Sequence, residues 1–236
     1  MSKTAESVRN FVHEWSLNIL ILLFGTTTLV QAFIVPTPSM DSTVMVGDHM
    51  LVDKLAYAPA GSFSRLFLPY ADPKRGEIIV FRYPVDINMN YVKRVIGVPG
   101  DHIRITDKSV FVNGKALKEP YTQHIFPDIQ SYRDNFPAEP PAFLYASISD
   151  GPKMLRYAEG MLKHVENGEL VVPPDSYFAM GDNRDNSLDS RYWGFVPDSL
   201  VRGTPLIVYY SFTPDSGSTA PWLTRIRWSR VGSVVR

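Results

Sequence analysis

Leu17–Val35, LNILILLFGTTTLVQAFIV, carries no charged side chain and is the most apolar run in the chain. As a helix it has about the length needed to span a hydrocarbon core of roughly 30 Å. Asn18, Thr26, Thr27, Thr28 and Gln31 dilute it, and a buried core helix, a cleavable signal peptide and a retained anchor all compete for it. A signal peptide ends in small side chains at its cleavage site, whereas this run closes on Ala32-Phe33-Ile34-Val35-Pro36. The reading taken is a transmembrane anchor over 17–35. Lys3 and Arg9 precede it, offset by Glu6 and Glu14, so the positive-inside rule places residues 1–16 in the cytoplasm. No second run of that length follows, which predicts a single-pass protein with its bulk on the far side of the membrane.

Beyond the anchor the pattern turns to β. Glu77–Tyr83 is a β-branched and aromatic run after the turn Pro73-Lys74-Arg75-Gly76. Tyr91–Val98 is another, and Leu206–Phe212 reads as a buried strand. Asn113-Gly114 between short apolar segments predicts a hairpin over 109–117. No amphipathic helix of about three turns stands out. Residues 120–152 lose both periods, broken by Pro120, Pro127, Pro137, Pro140, Pro141 and Pro152, and 120–168 are expected to form an extended β insertion. The β domain itself is expected over 36–119 and 169–236. In Pro221–Arg230 an alternating pattern puts Trp222, Ile226 and Trp228 on one face of a strand and Arg225 and Arg227 on the other. That strand suits either a lipid headgroup boundary or an ordinary core edge.

Composition narrows the chemistry. Lys plus Arg and Asp plus Glu both number 24, which removes the basic footprint of nucleic-acid binders. Cysteine is absent, so thiolate ligands and cysteine nucleophiles are excluded. The five histidines lack metal-ligand spacing, and no metal or other cofactor is implied.

Three stretches carry candidate chemistry. Ser39 follows the apolar run in Val35-Pro36-Thr37-Pro38-Ser39-Met40, where it is either a turn hydroxyl or a nucleophile. In YVKRVIGV, strand geometry sends Lys93 and Arg94 to opposite faces, so one cation meets the more buried side. A lysine acting as base near neutral pH must lie well below its usual ~10.4, a differential of about 4 kcal/mol that apolar burial can supply. From that stretch alone, a lysine snorkelling from an edge strand is the favoured reading. The third stretch is GDNRDNSLDSRYWG over 181–194. A calcium loop fails there, since Arg184 and Ser187 stand where an acid and a glycine are required. What remains is a loop whose Asp182, Asp185 and Asp189 are expected to hold Arg184 and Arg191 in fork-like pairs.

Together, PTPSM with VGDHMLVDK, YVKRVIGVPGD and GDNRDNSLDSRYWGFVP resemble the sequence boxes of bacterial type I signal peptidases, in the family's order and downstream of an apolar run. The resemblance covers roughly 30–118 and 170–205. It implies a signal-peptidase-like, mainly β catalytic domain that cleaves secreted preproteins at a lipid bilayer, with no metal and no nucleic acid. By motif match Ser39 resembles the nucleophile, Lys93 the general base and Ser187 the serine that orients the lysine. Asp189 and Arg191 match the salt-bridged support, with Asp182 and Arg184 as companions. Val35 and Val92 fall where relatives line pockets for small residues at positions −1 and −3. The Ser39 N–H and the Thr37 hydroxyl match the oxyanion hole. Many relatives read P-S-G-S-M; here Thr37-Pro38 replaces the Ser-Gly pair, which restricts χ1 at the donor and fixes φ beside it. A membrane-anchored relative of the LexA-type autoproteases and a catalytically silent peptide-binding β domain are the competing readings; the anchor and the long third box argue against the first, and the joint presence of Ser39, Lys93 and Ser187 against the second.

Overall fold

The computed structural model describes residues 3–57, 71–214 and 219–236. Two antiparallel sheets organise it. The larger is built from β1 (Val30–Ile34), β2 (Asp48–Asp53), β3 (Ile78–Arg82), β4 (Asn90–Gly97), β10 (Ser176–Met180), β11 (Val196–Pro197) and β12 (Val201–Ser211), in the order β1-β2-β12-β3-β4-β10-β11. The smaller contains β5 (His102–Thr106), β6 (Ser109–Val112), β7 (Lys115–Ala116), β8 (Val165–Glu166) and β9 (Glu169–Val171), ordered β7-β6-β5-β9-β8. The β-rich expectation holds. The Asn113-Gly114 turn joins β6 to β7 with both residues at positive φ, 52° and 73°, as a tight hairpin turn requires.

β12 is the long element that lets the large sheet coil. It pairs with β2 over one half and β3 over the other, with register shifts at Pro205/Ile207 and Val208/Tyr210. Such bulges bend a strand and increase its twist. Gly203 is needed at the crossover: a Cβ there would stand 2.0 Å from the Asp53 carbonyl oxygen.

The apolar run does not form one helix. α1 (Lys3–Phe24) ends part-way through it, Gly25–Leu29 form a π-turn, and Val30–Ile34 leave as β1, paired with β2 from Val30↔Asp53 to Ile34↔His49. No helix among the described residues is long and apolar enough to cross a membrane, so the 17–35 spanning helix is corrected. The threonine run is the physical cause: β-branched residues lose χ1 freedom in a helix, and the β2 edge offers the chain backbone partners. From Asn10 to Phe24 every side chain of α1 is exposed.

Two further expectations fail. The 120–168 segment is helical rather than extended, with α2 (Ser131–Asp134), α3 (Ala142–Ala146) and α4 (Gly151–Leu162). α4 is amphipathic and buries Met154, Ala158 and Met161. Its Pro152 lies in the first turn, where a missing N–H costs nothing. The alternation in 221–230 is not a strand either. Pro221 opens α5 (Pro221–Thr224), and Trp228–Arg230 form a 3-10 turn that leaves Trp222 and Trp228 exposed. Arg227 and Arg230 decide this conformation, because both side chains reach the buried Asp48 carboxylate.

Candidate active site

Ser39 sits in a 3-10 turn, Pro38–Met40, directly after β1. As second residue of that turn, its N–H has no acceptor within the turn. Pro38 presets φ for the turn's first position, and Met40, fully buried, pins its other end into a core with Val35, Val44 and Met50. Lys93 lies on β4, which pairs with β3 through Ile79↔Lys93. The Lys93 ammonium donates to Ser39 Oγ at 2.5 Å. Both residues are buried. Desolvation pushes the Lys93 ammonium down to about 8; Asp189 and Asp182 oppose that shift and Arg191 adds to it. Thr37 Oγ1 is 3.3 Å from Ser39 Oγ.

The 181–191 loop stands behind this pair. Asp189 is fully buried and accepts from Arg191 Nε at 2.9 Å and Nη2 at 2.8 Å. Burial pushes the Asp189 carboxyl up, but Arg191 outweighs it and holds the group below its usual range, helped by the nearby Ser187 hydroxyl and the Gly181 N–H. The backbone of the loop is tied directly to the serine turn. Asn183 donates through its N–H to the Ser39 carbonyl and through Nδ2 to the Pro38 carbonyl, both at 3.2 Å.

Around the pair lies a cleft of about 380 Å³, bounded by Phe33–Met40, Met89–Lys93, Asn186 and Leu188. Val35 and Val92 both line it. Among the described residues the β4 edge past Arg94 carries no partner strand toward Asn90, since β10 pairs only from Arg94 onward. A slot between two strand segments, with a hydroxyl and a desolvated amine at one end, can bind an extended peptide and attack its carbonyl.

A family profile described as "Signal peptidase, peptidase S26" matches residues 8–210. The chain belongs to the signal peptidase I family. It is 34% identical to the signal peptidase I of Pseudomonas fluorescens, covering 88% of this chain and 74% of that one. It is also 34% identical to the signal peptidase I of Aquifex aeolicus, covering 86% and 85%. A solved signal peptidase I from Enterococcus faecalis is 28% identical, spanning 57% of this chain and 97% of its own, with a TM-score of 0.41. The family assignment rests on the sequence matches.

Within this signal peptidase framework Ser39, Lys93 and Thr37 converge, and Asp189–Arg191 pair as expected. The remaining charges pair differently. Arg184 forks onto Glu119, outside the loop. Asp182 is gripped by Arg94 through Nε at 2.8 Å and Nη2 at 2.7 Å, and by Thr43 Oγ1. Asp185 turns to Arg133, Lys108 and His124. Only Asp189 and Arg191 fork together within the loop; the other charges take counter-charges from other elements. Ser187 is buried beside Asp189, and among the described residues no hydrogen bond links it to Lys93.

Several supports were missed. Asn183 holds the serine turn, and Gln123 bridges the loop by accepting from the Arg184 N–H and donating to the Asp182 carbonyl. Tyr132 and Tyr145 hydroxyls cap the Arg191 and Tyr192 carbonyls at 2.7 and 2.9 Å. Asn183 stood inside the third box and could have been singled out. Gln123, Tyr132 and Tyr145 stand in the Pro-rich segment, where no local pattern marks them.

Proposed function

We propose that the chain is a membrane-associated serine endopeptidase that removes signal peptides from secreted preproteins, cutting after small residues at −3 and −1. The single observation that carries this reading is the 2.5 Å contact between Lys93 Nζ and Ser39 Oγ, both buried. With its proton lost, the lysine lone pair accepts from the Ser39 hydroxyl. Oγ then attacks the scissile carbonyl carbon while the proton moves to Nζ. Lys93 returns that proton to the leaving amine as the C–N bond breaks, leaving an acyl ester on Ser39. Lys93 next takes a proton from water, the resulting hydroxide attacks the ester, and the proton goes back to Ser39 Oγ.

Developing negative charge on the carbonyl oxygen is met by the Ser39 N–H and the Thr37 hydroxyl. Asp189, Arg191 and Ser187 orient Lys93 from behind, as packing rather than as proton carriers. Val35 and Val92 are the walls against which Ala-sized side chains fit. The catalytic unit is 36–119 with 169–236, and 120–168 is an insertion that braces it through Tyr132, Arg133 and Tyr145. Attachment to lipid is supported by Leu17 and Ile19–Phe24 of α1, apolar and exposed.

Cleavage of a preprotein carrying an Ala-x-Ala site by the purified full-length chain in detergent tests the proposal. Ser39→Ala and Lys93→Ala should each abolish cleavage with an unchanged circular dichroism spectrum. Near-normal processing by Lys93→Ala would falsify the dyad.

A further inference from the structure

The two walls of the cleft belong to different cores. Val35 and Val92 belong to the cluster that holds Met40, Met50 and Ile78. Tyr91 and Leu188 pack instead on the cluster around Phe81, Tyr145 and Trp193. On β4 the neighbours Tyr91 and Val92 necessarily point to opposite faces. A peptide lying extended in the slot alternates in the same way. With −1 and −3 turned to Val35 and Val92, the side chain at −2 faces Tyr91 and Leu188.

Behind Leu188 is a second cavity, of about 250 Å³, lined by Leu144, Ile148, Met154 and Tyr192 from the helical insertion and the end of the loop. Leu188, together with Asn186, lines both this cavity and the catalytic cleft, and of the two Leu188 is the apolar one. Its side chain, half-buried, is a partition between them. The insertion side of the cavity behind it is apolar, from Leu144, Ile148 and Met154, and the loop side carries Asp185, Asn186 and Ser187; against the apolar side a hydrocarbon or aromatic side chain fits better than a charged one.

We propose that Leu188 is a specificity-determining residue that sets the size of side chain accepted at −2. The proposal rests on the signal-peptidase reading above and on the assignment of Val35 and Val92 to −1 and −3. A small residue at 188 joins the two cavities and admits bulky apolar residues at −2; a larger one closes the space further.

The test is kcat/KM for wild type, Leu188→Ala and Leu188→Phe on peptides with Ala at −3 and −1 and Ala, Leu or Trp at −2. Leu188→Ala should raise the Trp-to-Ala preference by about tenfold, mainly through KM, and Leu188→Phe should lower it by a similar factor. Peptides with Leu at −1 should remain poor substrates for all three proteins. A general loss of packing would depress every peptide together and leave these ratios unmoved. If wild type cleaves the Ala peptide and neither variant shifts the −2 ratio, the proposal alone is overturned. A shift confined to −1 also overturns it. If wild type cleaves no peptide of the series, the underlying reading falls with it. Should Leu188→Ala not fold, the opposite shift predicted for Leu188→Phe decides the matter.

Discussion

Gly181 lies against Ser39: a methyl placed on its α-carbon would stand 2.3 Å from the Ser39 carbonyl oxygen and 2.3 Å from Ser187 Oγ. Both are far inside van der Waals contact, and the backbone oxygen belongs to the turn that carries the nucleophile. Gly181→Ala should therefore push the serine turn away from Lys93. The expected result is a loss of at least about 10²-fold in kcat, since displacements of about 1 Å at a reacting group cost that much. Stability should fall by about 1–3 kcal/mol from overpacking. Chemical denaturation alongside the preprotein assay measures both.

The pH profile follows from Lys93. Burial lowers its ammonium to about 8, and only the neutral amine accepts the serine proton. The rate of acylation should rise with pH and level off above about 8. Substituting Lys93 by arginine should leave no activity at any pH up to 10, because a guanidinium does not lose its proton there.

The same shift has a stability consequence of defined sign. The folded value, about 8, lies below the reference 10.5, so between these pH values the unfolded chain binds more protons than the folded one. Stability then rises with pH across that window, and the penalty is fully present below about pH 8. It amounts to about 3 kcal/mol in magnitude. Lys93→Met, of similar volume, should be inactive yet more stable than wild type at pH 7, with the difference shrinking toward pH 10. Thermal unfolding at the two pH values checks this.

Thr37 is tested by splitting its hydroxyl from its shape. Thr37→Val should lower kcat about 10²–10³-fold, the usual cost of an oxyanion donor, with KM little changed. Thr37→Ser should retain most of the rate. Equal activity of the valine and serine variants would remove the hydroxyl from the mechanism.

For the buried pair, Arg191→Met leaves the Asp189 carboxylate, fully enclosed, without its counter-charge. A loss of about 3–5 kcal/mol in unfolding free energy is expected. Arg191→Met with Asp189→Leu should recover part of it, which urea titrations of the single and double variants would show.

Much of the site was legible before the fold. Ser39, Lys93 and the Asp189–Arg191 pair stand in short stretches whose residue types already restrict the chemistry, and strand alternation alone separated Lys93 from Arg94. The strands Ile78–Arg82 and Asn90–Gly97 and the 113–114 turn were equally local, because period-2 burial and a positive-φ turn are properties of neighbouring residues. α4 was not legible for a specific reason: Gly151, Pro152 and Gly160 masked a helix whose burial at Met154, Ala158 and Met161 depends on what packs there.

Residue types and their local periodicity determined the β-rich class, a nucleophile–amine pairing in principle and the absence of any thiol chemistry. Tertiary structure decided everything that depends on two distant segments meeting. It ended the apolar run as a strand because β2 supplied backbone partners, and it sent Arg184 to Glu119 and Asp182 to Arg94. It also turned Arg227 and Arg230 onto Asp48 in place of a C-terminal strand. A buried charge takes whichever counter-charge the fold brings within fork distance, and that distance is not written along the chain.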